Sequence, residues 1–205
     1  MKDSFGLDVS TKSLDVIKAI NLFQQEIISS GQGAITILEA LDKGPNDFLM
    51  TCYAASLYLY GQNSKETELA REYLQQAKRQ LGENRTEREV LVYQALMAWS
   101  LLEHQSAADI FVEITKQFPE DLLCAKYAEW IFYCLGQKAT APQFLKMCCG
   151  MQKAQGNNPF FLSMHSLALE LSGQQDKALE MAYRAIEIEK KTPWAHHTLA
   201  HALMF

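Results

Sequence analysis

The sequence predicts an all-α chain of stacked helical hairpins, about ten to eleven helices in all. Three observations carry that expectation. Apolar residues recur seven positions apart ahead of regularly placed turn residues, and small residues recur seven apart behind the same turns. Strand signals are missing: no alternating run of Val, Ile and Thr stands between tight turns.

The turn marks are Gly61, Glu103, Gly136 and Gly173. Eleven residues ahead of them stand Met50, Val92, Ala125 and Leu162; four ahead stand Leu57, Trp99, Phe132 and Leu169. Seven residues make two helical turns, so each pair shares one helix face. Five residues behind the last three marks stand Ala108, Ala141 and Ala178, and twelve behind stand Thr115, Cys148 and Ala185. After Gly61 the small pair is Ala70 and Ala77, displaced by the polar loop Gln62-Asn63-Ser64-Lys65. Such small residues let a second helix lie close against its neighbours. The marks are 42, 33 and 37 residues apart, which brackets the period of about 34 of tetratricopeptide repeats, with Gly between the helices and Ala in the second. A weaker unit stands ahead of these, with Ile20 and Ile27 before Gly31 but Lys43 in the second small column.

The elements follow in order. The first hairpin is expected at 12–29 and 33–43, stopped by Gly44-Pro45. The second lies at 46–60 and 65–81, and Asn63-Ser64-Lys65-Glu66 has capping-box spacing. The third, at 87–103 and 105–117, opens with the same spacing in Thr86-Glu87-Arg88-Glu89. The fourth lies at 121–135 and 140–152. The fifth, at 159–172 and 175–190, begins at Asn158-Pro159, an N-cap followed by Pro at the first helical position. Thr192-Pro193 repeats that signal and starts a further helix at 193–205. The units therefore run approximately 12–43, 46–81, 87–117, 121–152 and 159–190, with the start of another at 193, in one domain over 1–205. The charged segment 65–89 has mixed signs and reads as a solvated helix face and its connector.

Composition excludes several function classes. Lys plus Arg is 19 against 24 Asp plus Glu, a net charge of −5, which argues against nucleic-acid binding. A hydrophobic share of 48% is that of a folded chain. The longest uncharged stretch, 48–64, ends in Gly61-Gln62-Asn63-Ser64 and falls short of the ~20 apolar residues of a membrane span. Met1 to Asp8 lack the apolar core of a secretory signal, so a cytoplasmic location without a membrane partner is expected. Cys52, Cys124, Cys134, Cys148 and Cys149 lie in apolar runs without Cys-x-x-Cys spacing and read as reduced, buried thiols.

Several local signatures then occur in order: Ser10-Thr11-Lys12-Ser13, Asp47-Phe48, Thr86-x-Arg88-Glu89 and Pro119-x-Asp121-Leu122-Leu123-x-Ala125-Lys126. Phe132-Tyr133-Cys134-Leu135-Gly136 follows, and last comes Trp194-Ala195-His196-His197-Thr198-Leu199-Ala200-His201. On these the chain resembles the tetratricopeptide repeat protein 38 family, including its bacterial members, from near its start to its end. The resemblance implies a right-handed α-solenoid and brings no reaction with it. It also implies a longer chain, of which these residues correspond to the N-terminal half. Leu203-Met204-Phe205 is a poor polar cap for a solenoid, so either truncation or pairing of that end with another copy is expected.

His197 and His201 are four residues apart and share a helix face, the way helices present two metal ligands. His165, in the first helix of the preceding unit, is the candidate third ligand, since a zinc site needs at least three. His196 points about 100° away. Both His197 and His201 fall on the family's Trp-x-x-His-x-x-Ala-His pattern. Semi-buried packing and hydrogen bonding is the simpler role for all of them. No nucleophile elbow occurs, and Gly31-Gln32-Gly33 has no strand before it and no Lys-Ser/Thr after it, so acyl transfer and phosphate binding lack support. Trp99 and Phe132 occupy a core column, whereas Tyr53 with Tyr60, or Tyr58, offers a face that lines a groove. The expected function is a protein-interaction scaffold with a concave peptide-binding surface and no cofactor. The alternative is an enzyme or metal-dependent protein using His197 and His201 with residues from a further C-terminal half.

Overall fold

A computed structural model describes residues 1–44, 46–82 and 84–204. Pro45, Glu83 and Phe205 lie outside the described residues, and with them parts of the expected Gly44-Pro45 stop, the charged segment and the C-terminal end. Among the described residues there are eleven α-helices: α1 (Leu14–Ser29), α2 (Thr36–Lys43), α3 (Phe48–Leu59), α4 (Ser64–Arg79), α5 (Glu87–Ser100) and α6 (His104–Gln117), then α7 (Leu122–Leu135), α8 (Gln137–Gln155), α9 (Pro159–Leu171), α10 (Gln175–Ile188) and α11 (Pro193–Leu203). No strand forms among the described residues; Lys2 and Asp8 make an isolated bridge. No helix is long and apolar enough to cross a membrane.

Side-chain caps set most of the helix starts. Ser13, Asp47, Asn63, Asp121 and Asn158 each accept a backbone N–H of the first turn, and Thr86 with Glu89 closes a full capping box. Thr192 departs from expectation. Pro193 does open α11, but the Thr192 hydroxyl donates back to the Glu189 carbonyl instead of capping. The second helix of the first unit starts late, because Gly33–Ile35 forms a single 3-10 turn ahead of it. α8 is longer than expected at both ends and carries Pro142 inside it. The turns explain the marks: Gly136 and Gly173 have φ of 108° and 74°, where a side chain is disfavoured. Where the mark is not in that conformation a neighbour takes it, Gln62 at 51° and Leu102 at 64°.

The repeat columns are the core. Met50, Val92, Trp99, Ala125, Phe132, Leu162 and Leu169 are buried, and Leu57 half-buried. All eight small-column residues from Ala70 to Ala185 are buried as well, while Lys43 is exposed. Second helices α4, α6 and α10 bury one face only. First helices are enclosed more fully: α3 is buried without a break from Phe48 to Ser56, and α9 from Phe161 to Leu169. α1 packs against α7 as well as α3. Tyr53 therefore stacks on Phe23 at 5.2 Å, and Tyr60 joins a cluster with Trp99, Tyr127 and Trp130. Tyr58 stacks on Tyr73. The Tyr53–Tyr60 face packs inward on these rings, with Tyr53 buried and Tyr60 half-buried.

Two readings of the charged and thiol residues need correction. Arg88 and Glu89 are not part of a solvated face; they are 1% and 0% exposed. Arg88 donates to Asp3 at 2.7 Å and Asp121 at 3.0 Å. Burial alone would lower its pKa, but the carboxylates of Asp121 and Asp3 hold it above the ordinary value. Asp3 also accepts from Gln24 and from the backbone of Phe5 and Leu7, and Asp121 caps α7. Glu89 accepts from the backbone and hydroxyl of Ser10, both at 3.0 Å. Among the thiols, Cys134 and Cys149 are exposed and the other three buried, because Cys149 sits one position past the small column that buries Cys148.

Candidate functional site

A cavity of about 240 Å³ opens where α7 and α9 diverge; the two touch only sparsely, whereas α9 and α11 pack along their lengths. α7 contributes Lys126, Glu129, Trp130 and Tyr133. Their spacing of three, four and seven residues places all four on one helix face. α11 contributes Trp194 and His197, also three apart, with His201 one turn further along. Leu167 and Leu171 of α9 and Phe132 and Phe144 complete an apolar floor.

The polar groups on these faces converge. Lys126 Nζ lies 2.5 Å from Glu129 Oε2 and 4.2 Å from the centre of the Trp194 ring. The ion-pair distance is short, yet Glu129 Oε2 receives no hydrogen bond of acceptable direction. Trp130 Nε1 is buried without a partner, as are Tyr60 Oη beside it and Glu170 Oε2. Burial pushes the Tyr60 hydroxyl well above its usual pKa, and the charge of Glu129 acts in the same sense. Trp130 stacks on Tyr133 at 5.8 Å. Buried polar atoms are nearly always paired, so a group of unpaired ones around a cavity marks a place where another molecule can supply the missing partners.

His197 and His201 do come together, with ring centres 4.6 Å apart. His197 packs edge-on to Trp194 at 4.9 Å. Partial burial lowers its pKa, and His201 adds to the effect, so the imidazole is neutral at pH 7. His201 Nδ1 stands 4.0 Å from Glu170 Oε2. His165 does not join them. It is buried in α9 facing α8, 4.0 Å from Cys149 Sγ and against Phe161. His196 is exposed, with Nε2 2.8 Å from the Lys190 carbonyl. Among the described residues no group of three or more His, Cys, Asp or Glu is arranged to hold a metal ion.

A second, wider cleft of about 740 Å³ lies between the α3–α4 and α5–α6 turns. It shares Tyr133 with the first cavity, and Gln62 and Leu102, with their left-handed backbones, line it.

No family model matches the chain, and no solved structure matches it.

The signature residues from which the resemblance was read gather at two places. Ser10, Thr86, Arg88, Glu89 and Asp121 form the buried network of α5 and α7. Lys126, Tyr133, Trp194 and His197 line the cavity, and His201 borders it. Sequence reading missed Glu129, Trp130 and Glu170. The signal for the first two was present, because Lys126, Glu129, Trp130 and Tyr133 make a helical stripe too polar to be plain core.

Proposed function

We propose that this chain is a tetratricopeptide-like helical-repeat protein of the right-handed solenoid type, related to the tetratricopeptide repeat protein 38 family. On this reading it is a protein-interaction module. Its binding element is not an extended concave groove, since α1 and the N-terminal segment fill the space against α3, α5 and α7. The element is the cavity between α7, α9 and α11, into which a side chain of a partner segment inserts. One observation carries this reading: two buried polar atoms without hydrogen-bond partners, Glu129 Oε2 and Trp130 Nε1, and the rings of Trp130, Tyr133, Trp194 and His197 converge on a cavity with an open rim. Tyr133, exposed between the cavity and the wider cleft, gives the partner segment a path from one to the other.

A photocrosslinking residue at Tyr133 tests the reading, with one at Tyr183, equally exposed on α10, as control. Discrete adducts from position 133 that vanish when Leu167→Trp fills the cavity are expected. The same adducts from both positions would sink the reading. A metal-dependent role is a second reading, favoured only by the adjacency of His197 and His201, since no third His, Cys, Asp or Glu among the described residues completes a set with them. The two histidines supply two ligands of the three a zinc site needs. Zinc bound stoichiometrically and lost in His197→Ala, His201→Ala would establish it; no zinc uptake would remove it.

A further inference from the structure

A thiol and an imidazole meet outside the cavity, between α8 and α9. Cys149 is exposed on α8, and its Sγ stands 4.0 Å from Nε2 of His165 on α9. His165 is 3% exposed, and its Nδ1 has no hydrogen-bond partner. Burial lowers its pKa, so the imidazole is neutral at pH 7 and has a lone pair free for a proton. With the ring proton on Nδ1, Nε2 faces the thiol as an acceptor. Such contacts are often long before a reactant binds and tighten afterwards.

The thiol opens onto a trough of about 540 Å³. Lys138, Pro142, Lys146 and Cys149 are four, four and three residues apart, so one stripe of α8 forms its floor. Leu171 and Ser172, at the end of α9, form the opposite wall, and the Ser172 hydroxyl is buried without a partner. Gly150 has open space where a side chain would stand, which leaves one flank of the thiol clear. The described residues lining the trough include two exposed lysines and no acid, so an anion is favoured beside the thiol. This trough and the cavity share only Leu171. The other exposed thiol, Cys134, is placed differently. It accepts from Gln62 Nε2, an amide that takes no proton, and partial burial raises its pKa.

We propose that Cys149 is a thiol–disulfide exchange site for small anionic disulfides, with His165 as the proton acceptor. Cys149 Sγ attacks one sulfur of the disulfide R–S–S–R; a bond from Sγ to that sulfur forms and the original S–S bond breaks. The electron pair of the broken bond leaves on the second sulfur. The thiol proton passes to His165 Nε2 and then to that leaving thiolate, which departs as R–SH. Cys149 is oxidised and half of the disulfide is reduced, so the disulfide itself is the oxidant. Excess R–SH reverses the step and restores the thiol.

The test exposes the reduced whole chain to three reagents: anionic glutathione disulfide, neutral 2-hydroxyethyl disulfide and cationic cystamine. Mass spectrometry reads the rate of adduct formation at each cysteine. Cys134 in the same molecule is the reference, so the intrinsic reactivity of each reagent cancels in the ratio of the two rates. With glutathione disulfide, Cys149 should react about tenfold or more faster than Cys134, and dithiothreitol should remove the adduct. The ratio should fall from the anionic to the cationic reagent. His165→Phe should lower it about tenfold with all three reagents at unchanged circular dichroism. Lys138→Glu combined with Lys146→Glu, at exposed positions, should invert the order of the reagents; it keeps the site testable should the buried substitution unfold the chain. Equal rates at Cys149 and Cys134 would overturn the site. An unchanged ratio in folded His165→Phe would overturn the role of the imidazole, and an unchanged order in the lysine variant would overturn the preference for anions.

Discussion

Between α1 and α7 the charged groups that leave water find partners; between α7 and α11 several do not. Arg88 is only 1% exposed, yet both its terminal nitrogens meet carboxylates, and only Nε goes without. Trp130 Nε1 and Glu170 Oε2 have no such company, and Glu129 has an ion pair with Lys126 but no well-directed hydrogen bond. The same repeat, with the same buried columns, thus gives a sealed core in one region and a cavity in the other. Burial of a charge alone does not mark function. Burial with partners marks a joint that holds the fold, and burial without them marks a place waiting for a ligand.

The sharpest way to break this comparison is Arg88→Met. It leaves Asp3 and Asp121 buried without a counter-charge, and a loss of about 3–5 kcal/mol is expected in denaturant unfolding. A loss below ~1 kcal/mol would mean that the network does not seal the N-terminal region. Thr86→Ala removes one arm of the capping box and should cost about 1 kcal/mol by the same measurement.

Acid should act through His165. Burial pushes its pKa below the usual 6.5, so the unfolded chain takes up this proton at a higher pH than the folded chain. Its effect on stability is absent well above pH 6.5. Stability declines as pH falls through that value and levels off beneath the folded-state pKa. Melting midpoints between pH 7.5 and 5 should show the decline, and His165→Phe should reduce its slope, leaving the part due to His197, whose pKa is lowered too. An unchanged slope in that variant would assign the acid response elsewhere.

The smallest expected effect is the most diagnostic. Glu170→Gln should leave stability within ~0.5 kcal/mol of the parent or raise it, because it removes a buried charge that has no donor. A loss of 2 kcal/mol or more would show that Glu170 is a structural group like Asp121.

Much of the fold was legible in the sequence for local reasons. Asn158-Pro159 and Thr86-x-x-Glu89 act within one turn, so their spacing alone gives α9 and α5 their starts. Ala108, Ala141 and Ala178 mark close helix contacts at one fixed distance from the turns. What stayed hidden depends on distance along the chain. Nothing near Arg88 announces Asp3, and without that partner Arg88 reads as one more surface charge. The site was half visible. His197 and His201 stood out by residue type and do adjoin the cavity. His165 was grouped with them by position in the repeat, but its side chain turns toward α8. Glu129 and Trp130 lay in a stripe whose period was readable but whose surroundings were not.

The ion pair between Asp3 and Arg88 has a consequence for how the chain is made. On the ribosome Asp3 emerges 85 residues before Arg88, an interval of about 4–17 s at ordinary elongation rates. Until then Asp3 lacks the guanidinium it pairs with in the fold, and Asp121, the other partner of that guanidinium, comes later still. The leading residues are therefore a clasp that shuts last, and α1 has to stay available to α7 while every hairpin between them is translated. Although the array looks modular, its N-terminal part completes its folding together, once α7 has emerged.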